Sequence, residues 1–261
     1  MFNFHLFIHY LKHIKNANNR HGVHSPFVYN LIDEVIYNFK DNEDYVEIEN
    51  LRKKLLKNQN YLTITDLGAG SHINNNKQKK VKQIAKNALK PKKLAQLIYR
   101  LVKHNKPTNA IEFGTCLALT TAYISKAAPL ANIITMEGCP QTATLASQNL
   151  NPLKANNVEV LVGDFNQNLP EILSTLPQVD FVFVDGNHQE KATINYFELL
   201  LPKAHENSLF IFDDIYWSAG MKKAWQQIKQ HPQVTLTIDL FWIGLVFFKT
   251  DREKEHFKVQ F

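Results

Sequence analysis

The segment Asn109-Ala110-Ile111-Glu112-Phe113-Gly114-Thr115-Cys116-Leu117-Ala118-Leu119-Thr120 decides the fold. It passes from a short apolar run, through a turn that a glycine permits, into residues at helical spacing, which is the strand-turn-helix opening of an α/β unit. Runs of the same kind recur as NIITM (132–136), VEVLV (158–162), DFVFV (180–184), LFIFD (209–213), VTLTI (234–238) and FWIGLVFF (241–248). Helical patterns at about 119–128, 140–150, 168–175 and 189–200 separate the first five, and another at about 218–230 follows the fifth. Strands rich in Val, Ile and Phe on both faces, alternating with helices, predict a parallel sheet covered on both sides. The last two runs are split only by Asp239 and Leu240, so they predict a hairpin that adds an antiparallel strand at or near one edge. The expected class is α/β: a Rossmann-like, doubly wound, mostly parallel seven-stranded sheet with an antiparallel C-terminal hairpin and an N-terminal helical extension.

Outward from this core the composition changes at Lys106-Pro107-Thr108, which divides the chain into a helical extension or cap at 1–108 and a ligand-binding domain at 109–261. In the extension Phe4, Phe7, Ile8, Leu11 and Ile14 share one helical face, and Ser25-Pro26 opens a second helix as cap and first-turn proline. A third covers about 44–57. After an extended YLTIT come two basic amphipathic segments, about 78–89 and 91–105.

The chain has 261 residues, 44% hydrophobic and 21% charged, which suffices for a sizeable core and excludes disorder and disulfide miniproteins. Two cysteines, Cys116 and Cys139, in no metal-binding spacing suggest a reducing compartment, and no window approaches a membrane span. The expectation is a cytoplasmic protein. The net charge of +6 is unevenly placed. Residues 67–111 hold eleven Lys/Arg and no carboxylate, while the remainder carries 19 basic against 24 acidic residues. That concentration points to an anionic partner.

In an open parallel sheet the ligand lies beyond the carboxyl ends of the strands, so the residues there are the candidates. Glu137, which ends the second strand, can accept both ribose hydroxyls of a nucleoside. Gly163-Asp164-Phe165 ends the third, with Asp164 placed to take an adenine amine and Phe165 to lie on its ring.

The ordered series EFGT (112–115), TMEGCP (135–140), VGD (162–164), FVDGNH (183–188) and FDDIYW (212–217) resembles the class I S-adenosylmethionine-dependent methyltransferases, in the O-methyltransferase branch that holds catechol and caffeoyl-coenzyme A enzymes. Arg20 to Phe27 is similar to the N-terminal extension of a bacterial subgroup. The resemblance implies S-adenosylmethionine as cofactor, with Glu112, Gly114 and Thr115 forming its loop, Thr120 meeting the methionine carboxylate, Glu137 holding the ribose, and Gly163, Asp164, Phe165 and Asp185 completing the site. The family's third glycine is Ala118 here.

In metal-dependent members of that branch an Asp after strand four and an Asp-Asn pair after strand five hold a divalent cation such as Mg. The matching residues are Asp185, Asp213 and Asp214, with Asp in place of Asn at 214. His188 falls where the family's catalytic lysine falls, and can serve as a base without a metal. The catalytic candidates are therefore His188 and Asp185. Tyr216, Trp217 and Trp242 are candidate walls for the acceptor.

The expected reaction moves a methyl group to a hydroxyl of a small, anionic molecule. An RNA methyltransferase using the basic segment 77–106, or a non-catalytic S-adenosylmethionine-binding protein, are the alternatives; nucleic acid is the less favoured partner, and a homodimer through the apolar stripe is compatible with the pattern. Asp66-Leu67-Gly68-Ala69-Gly70-Ser71 looks like a second cofactor loop, but no strand ending in an acid follows it, and it reads instead as a loop over the acceptor pocket. His5, His9 and His13 fall at i, i+4, i+8 and read as a polar helix face rather than a zinc site.

Overall fold

The computed structural model describes residues 4–18, 24–65, 77–250 and 252–261. The element order is α1 (Phe4–Asn16), α2 (Pro26–Leu31) continued by a π turn (Ile32–Ile36), α3 (Asp44–Lys57), β1 (Tyr61–Ile64), β2 (Lys77–Lys80), α4 (Val81–Ala88), α5 (Lys92–Asn105), β3 (Asn109–Phe113), α6 (Leu119–Ala127), β4 (Asn132–Glu137), α7 (Pro140–Leu150), β5 (Val158–Val162), α8 (Phe165–Thr175), β6 (Phe181–Val184), α9 (Glu190–Leu200), β7 (Leu209–Asp213), α10 (Ala219–Gln230), β8 (Leu236–Asp239), β9 (Ile243–Phe247) and β10 (Glu255–Lys258).

The main sheet runs β10-β8-β9-β7-β6-β3-β4-β5. Strands β3 to β7 pair in parallel. The predicted hairpin is present: β9 lies antiparallel between β7 and β8. The sheet has eight strands among the described residues, one more than expected, because β10 adds to the outer side of β8 in parallel. Its sequence, Glu-His-Phe-Lys, lacks an apolar run, so periodicity does not mark it; edge pairing to Leu236–Asp239 makes the strand. Likewise residues 78–80, expected to begin a helix, instead belong to β2, which pairs antiparallel with β1.

Period-two alternation fills both faces of the sheet. Phe181, Phe183, Leu209, Ile211, Leu245 and Phe247 point to the side covered by α2, its π turn and α5. Val182, Val184, Phe210, Phe212 and Val246 point to the side covered by α8, α9 and α10. The N-terminal helices thus share one core with the sheet, across residue 108. Buried Arg100 joins the two by donating from Nε to the Val35 carbonyl at 2.7 Å and from Nη2 to that of Ile36 at 3.2 Å, satisfying carbonyls at the end of the π turn.

Helix α1 docks by the face opposite to its apolar stripe. Phe7, Ile8, Leu11 and Ile14 are exposed, whereas Leu6 and Tyr10 pack on the core and His13 is buried. His13 turns inward because it finds partners there: Nε2 lies 3.2 Å from the Val259 carbonyl and Nδ1 lies 3.4 Å from Asp239 Oδ1. Its ring also meets Phe241 and Tyr216 edge-on. The histidine stripe is therefore not a solvated face at His13; the side chain of His5 lies outside the described residues, as do Arg20–Val23 and the Asp66–Ser71 loop.

Candidate active site

The carboxyl ends of β3 to β7 open into a cavity of about 800 Å³. On one side are Gly114, Glu137, Gly163, Asp164 and Phe165; on the other are Asp185, His188, Asp213, Asp214, Trp217 and Trp242. Gly114 has φ +90°, and a Cβ there would stand 2.3 Å from the Asp185 carbonyl oxygen, so only glycine lets these two loops touch. The resulting turn aims the Cys116 amide at Glu137, donating to Oε2 at 2.8 Å, and just past β4 the Cys139 amide donates to Oε1 at 2.9 Å. The carboxylate is thereby fixed at the tip of β4 with acceptor capacity facing the cavity.

Asp164 caps α8, accepting from the Asn166 amide at 2.7 Å. The Phe165 ring lies over Gly186, where a Cβ would approach it to 2.6 Å, and meets Phe113 edge-on at 5.6 Å between centroids. A glycine cradle, an anchored carboxylate and an aromatic face in one cavity fit a nucleoside cofactor. Such a cofactor suits these residues by shape and by donor set.

Three of the residues expected at the cofactor are not among those lining the cavity. Glu112 is buried beneath the loop, accepting from the Thr121 and Thr135 hydroxyls at 2.5 and 2.7 Å. Burial, opposed by those two hydrogen bonds, pushes its carboxyl up to about 7. Thr115 is buried against Thr135 at 2.7 Å, and Thr120 sits on α6 outside the cavity lining. Of the three expected walls, Trp217 and Trp242 line the cavity, while Tyr216 is buried with its hydroxyl donating to Asp239 at 2.6 Å.

The acidic end of the cavity brings together residues from three distant parts of the chain. His188 Nε2 lies 3.6 Å from Asp185 Oδ1 and 4.0 Å from Asp214 Oδ2. Asp214 has φ +53°, a conformation that Asp tolerates, as does the Asn usual there. Lys90, from the link between α4 and α5, reaches in and donates to Asp185 Oδ1 at 2.9 Å and to Asp213 Oδ2. Burial pushes Asp185 up to about 6, Asp213 to about 7 and Asp214 to about 6, because three carboxylates share one ammonium away from water. Burial alone would lower Lys90, but Asp185, Asp213 and Asp214 outweigh it and hold it above the usual lysine range. Lys90 remains an ammonium.

Asp185, His188 and Asp213 each offer a ligand atom within 4.8 Å of the others, the spacing a divalent cation would need. Lys90 already fills the place between the two carboxylates, and a dication there would face an ammonium at contact distance. The expected metal set does not fit a metal with Lys90 seated. Lys90 was missed in the sequence because nothing in a run of eleven cations marks one as internal; Lys-Pro between two helices is its only local signature.

Both thiols line the cavity. Burial beside Glu137 pushes Cys116 up to about 12, and buried Cys139 rests its sulfur 3.4 Å from the Thr63 carbonyl of β1.

Residues 111–215 match the profile of a methyltransferase domain family. No curated protein sequence matches the chain. Among solved structures, an O-methyltransferase from Bacillus cereus in complex with S-adenosylhomocysteine aligns with TM-score 0.56 and 17% identity, over 81% of this chain and 93% of that one. An O-methyltransferase of tomaymycin synthesis from Streptomyces achromogenes, with S-adenosylmethionine, aligns with TM-score 0.58 and 15% identity, over 85% and 95%. A methyltransferase from Podospora anserina bound to S-adenosylhomocysteine aligns with TM-score 0.58 and 11% identity, over 95% and 97%. At these identities the likeness is one of fold. The fold is the one these solved structures share, and the match to a methyltransferase domain family falls on its β3 to β7 portion.

Proposed function

We propose that this protein transfers a methyl group from S-adenosylmethionine to a hydroxyl of a small anionic molecule. The observation that carries the reading is Glu137, locked at the end of β4 by two amides and facing the same cavity as Asp164, Phe165 and His188. The bound cofactor supplies an activated methyl on a sulfonium. The chain's part is to align an acceptor oxygen with that methyl and to take up its proton.

His188 is the proton acceptor in this account, positioned by Asp185. Transfer of the methyl would leave the S–CH3 bonding pair on the cofactor's sulfur and send the acceptor proton to the His188 imidazole. Trp217 and Trp242 give the acceptor apolar walls, and Lys79 and Lys93 place positive charge on the rim of the same cavity. Residues 1–108 serve as the cap on that side. The basic segment favours a small anion over RNA because its charges are divided: Lys90 and Lys93 face the cavity and Arg100 is buried.

The test is methyl transfer from labelled S-adenosylmethionine to a panel of phosphorylated and carboxylated alcohols and phenols, with RNA as a parallel acceptor. Label on a small oxygen acceptor, reduced roughly 10²- to 10⁴-fold by His188→Ala with S-adenosylhomocysteine binding retained, supports the reading. Label on RNA that is lost on replacing Lys79, Lys80 and Lys82 overturns the small-molecule assignment. Tight cofactor binding with no label on any acceptor favours a non-catalytic role.

A further inference from the structure

We infer that Lys90 is the resident cation of this active site, standing where a divalent metal would otherwise stand between Asp185 and Asp213, so that the site works without a metal. This rests on the methyltransferase reading for its catalytic consequence, though the cation site itself is a feature of the structure.

The placement is built rather than incidental. The Lys90 side chain is 13% exposed, and those of Asp185 and Asp213 are 15% and 2% exposed. Its backbone is held from below: Arg52 Nη1 donates to the Lys90 carbonyl at 2.7 Å, and Arg52 is itself paired with Glu49 at 3.0 Å. Pro91 follows directly and opens α5, which fixes the backbone at the point where the side chain departs. The chain therefore invests an ion pair and a proline in holding one lysine at the catalytic end of the cavity.

Charge explains why the lysine and a metal exclude each other. Asp185, Asp213 and Asp214 are three carboxylates around one ammonium, a cluster that needs positive charge and receives it from within the chain. A dication would have to expel Lys90, whose two hydrogen bonds are charge-assisted. The ammonium carries three N–H groups. Two are spent on Asp185 and Asp213. The third is available to the acceptor oxygen, where it stabilises the negative charge that develops as His188 withdraws the proton. That is the electrostatic service a metal would give.

The experiment is a Mn2+ titration followed by electron paramagnetic resonance, on the full chain and on Lys90→Met and Lys90→Arg. Wild-type protein and Lys90→Arg leave the added Mn2+ as the free aquo ion. Lys90→Met, which keeps the bulk and loses the charge, takes up one Mn2+ per chain, and Asp213→Asn in that background abolishes the uptake. Mn2+ uptake by the wild type that Asp213→Asn abolishes overturns the inference, as does a folded Lys90→Met that binds none. Calorimetry of S-adenosylhomocysteine on the same samples separates the two ideas. Failure of the wild type to bind it removes the methyltransferase reading and leaves the Mn2+ result to judge Lys90 alone.

Discussion

The backbone amide of Cys116 donates to the Glu137 carboxylate at 2.8 Å, tying the turn after β3 to the tip of β4. With Cys139 bound to the other oxygen, the acid is presented in one orientation before any ligand arrives. Glu137→Gln keeps the size but gives up one acceptor oxygen and the charge. We expect it to weaken S-adenosylhomocysteine binding by about 1.5–3 kcal/mol, roughly ten- to a hundredfold in Kd by calorimetry. Unchanged affinity would place the ribose elsewhere.

Gly114 is the second pivot. Alanine at φ +90° is strained, and its Cβ would meet the Asp185 carbonyl at 2.3 Å. Gly114→Ala should lower stability in urea unfolding by upwards of ~3 kcal/mol, since it combines backbone strain with a clash that only a loop shift relieves. A loss below ~1 kcal/mol would show that the two loops do not pack as described.

Buried Glu112 makes stability depend on pH in the direction opposite to most carboxylates. Its folded value near 7 lies above the ordinary 4.5, so the native state binds the proton more tightly than the unfolded chain does. The contribution is fully present below about pH 4.5 and is lost as pH rises through about 7, a span worth on the order of 3 kcal/mol. Glu112→Gln removes that dependence. The stability gap between variant and wild type should therefore shift in the variant's favour between pH 5 and pH 8, by chemical denaturation at each pH; a constant gap contradicts the assignment.

Tyr216, Asp239 and His13 link α1 to the far end of the sheet. Tyr216 donates to Asp239 at 2.6 Å, and Phe241 N–H donates to the same carboxylate at 2.9 Å. Tyr216→Phe should cost about 1.5–3 kcal/mol of stability, the range for a buried hydrogen bond to a charged group. Cofactor affinity should not move, because Tyr216 is outside the cavity lining. A large change in affinity with normal stability would return Tyr216 to the acceptor wall.

Strands β3, β4, β6 and β7 were legible because they are buried on both faces, and burial on both faces writes itself as continuous apolar runs. The turn residues at their ends were marked by position: Gly114, Glu137 and Asp164 stand at the carboxyl ends of successive apolar runs, although Gly114 packs on Asp185 and Glu137 binds the Cys116 amide across the sheet. What escaped the sequence depends on long-range pairing. Strand β10 exists because β8 offers it an edge, and β2 because Tyr61–Ile64 offers another. The inward turn of α1 depends on Asp239 and Val259, more than 220 residues away. Lys90 is set by partners 95 and 123 residues distant, so its role is invisible to any local pattern.

The central claim is that S-adenosylmethionine binds at the tip of β4. A crystal structure of the protein grown with S-adenosylhomocysteine tests it most directly. The account predicts both ribose hydroxyls on Glu137, the adenine beside Asp164 and Phe165, and the sulfur turned toward His188 and Lys90. Density for the ligand on Gly68 or Gly70, with the Glu137 carboxylate left uncontacted, would contradict it.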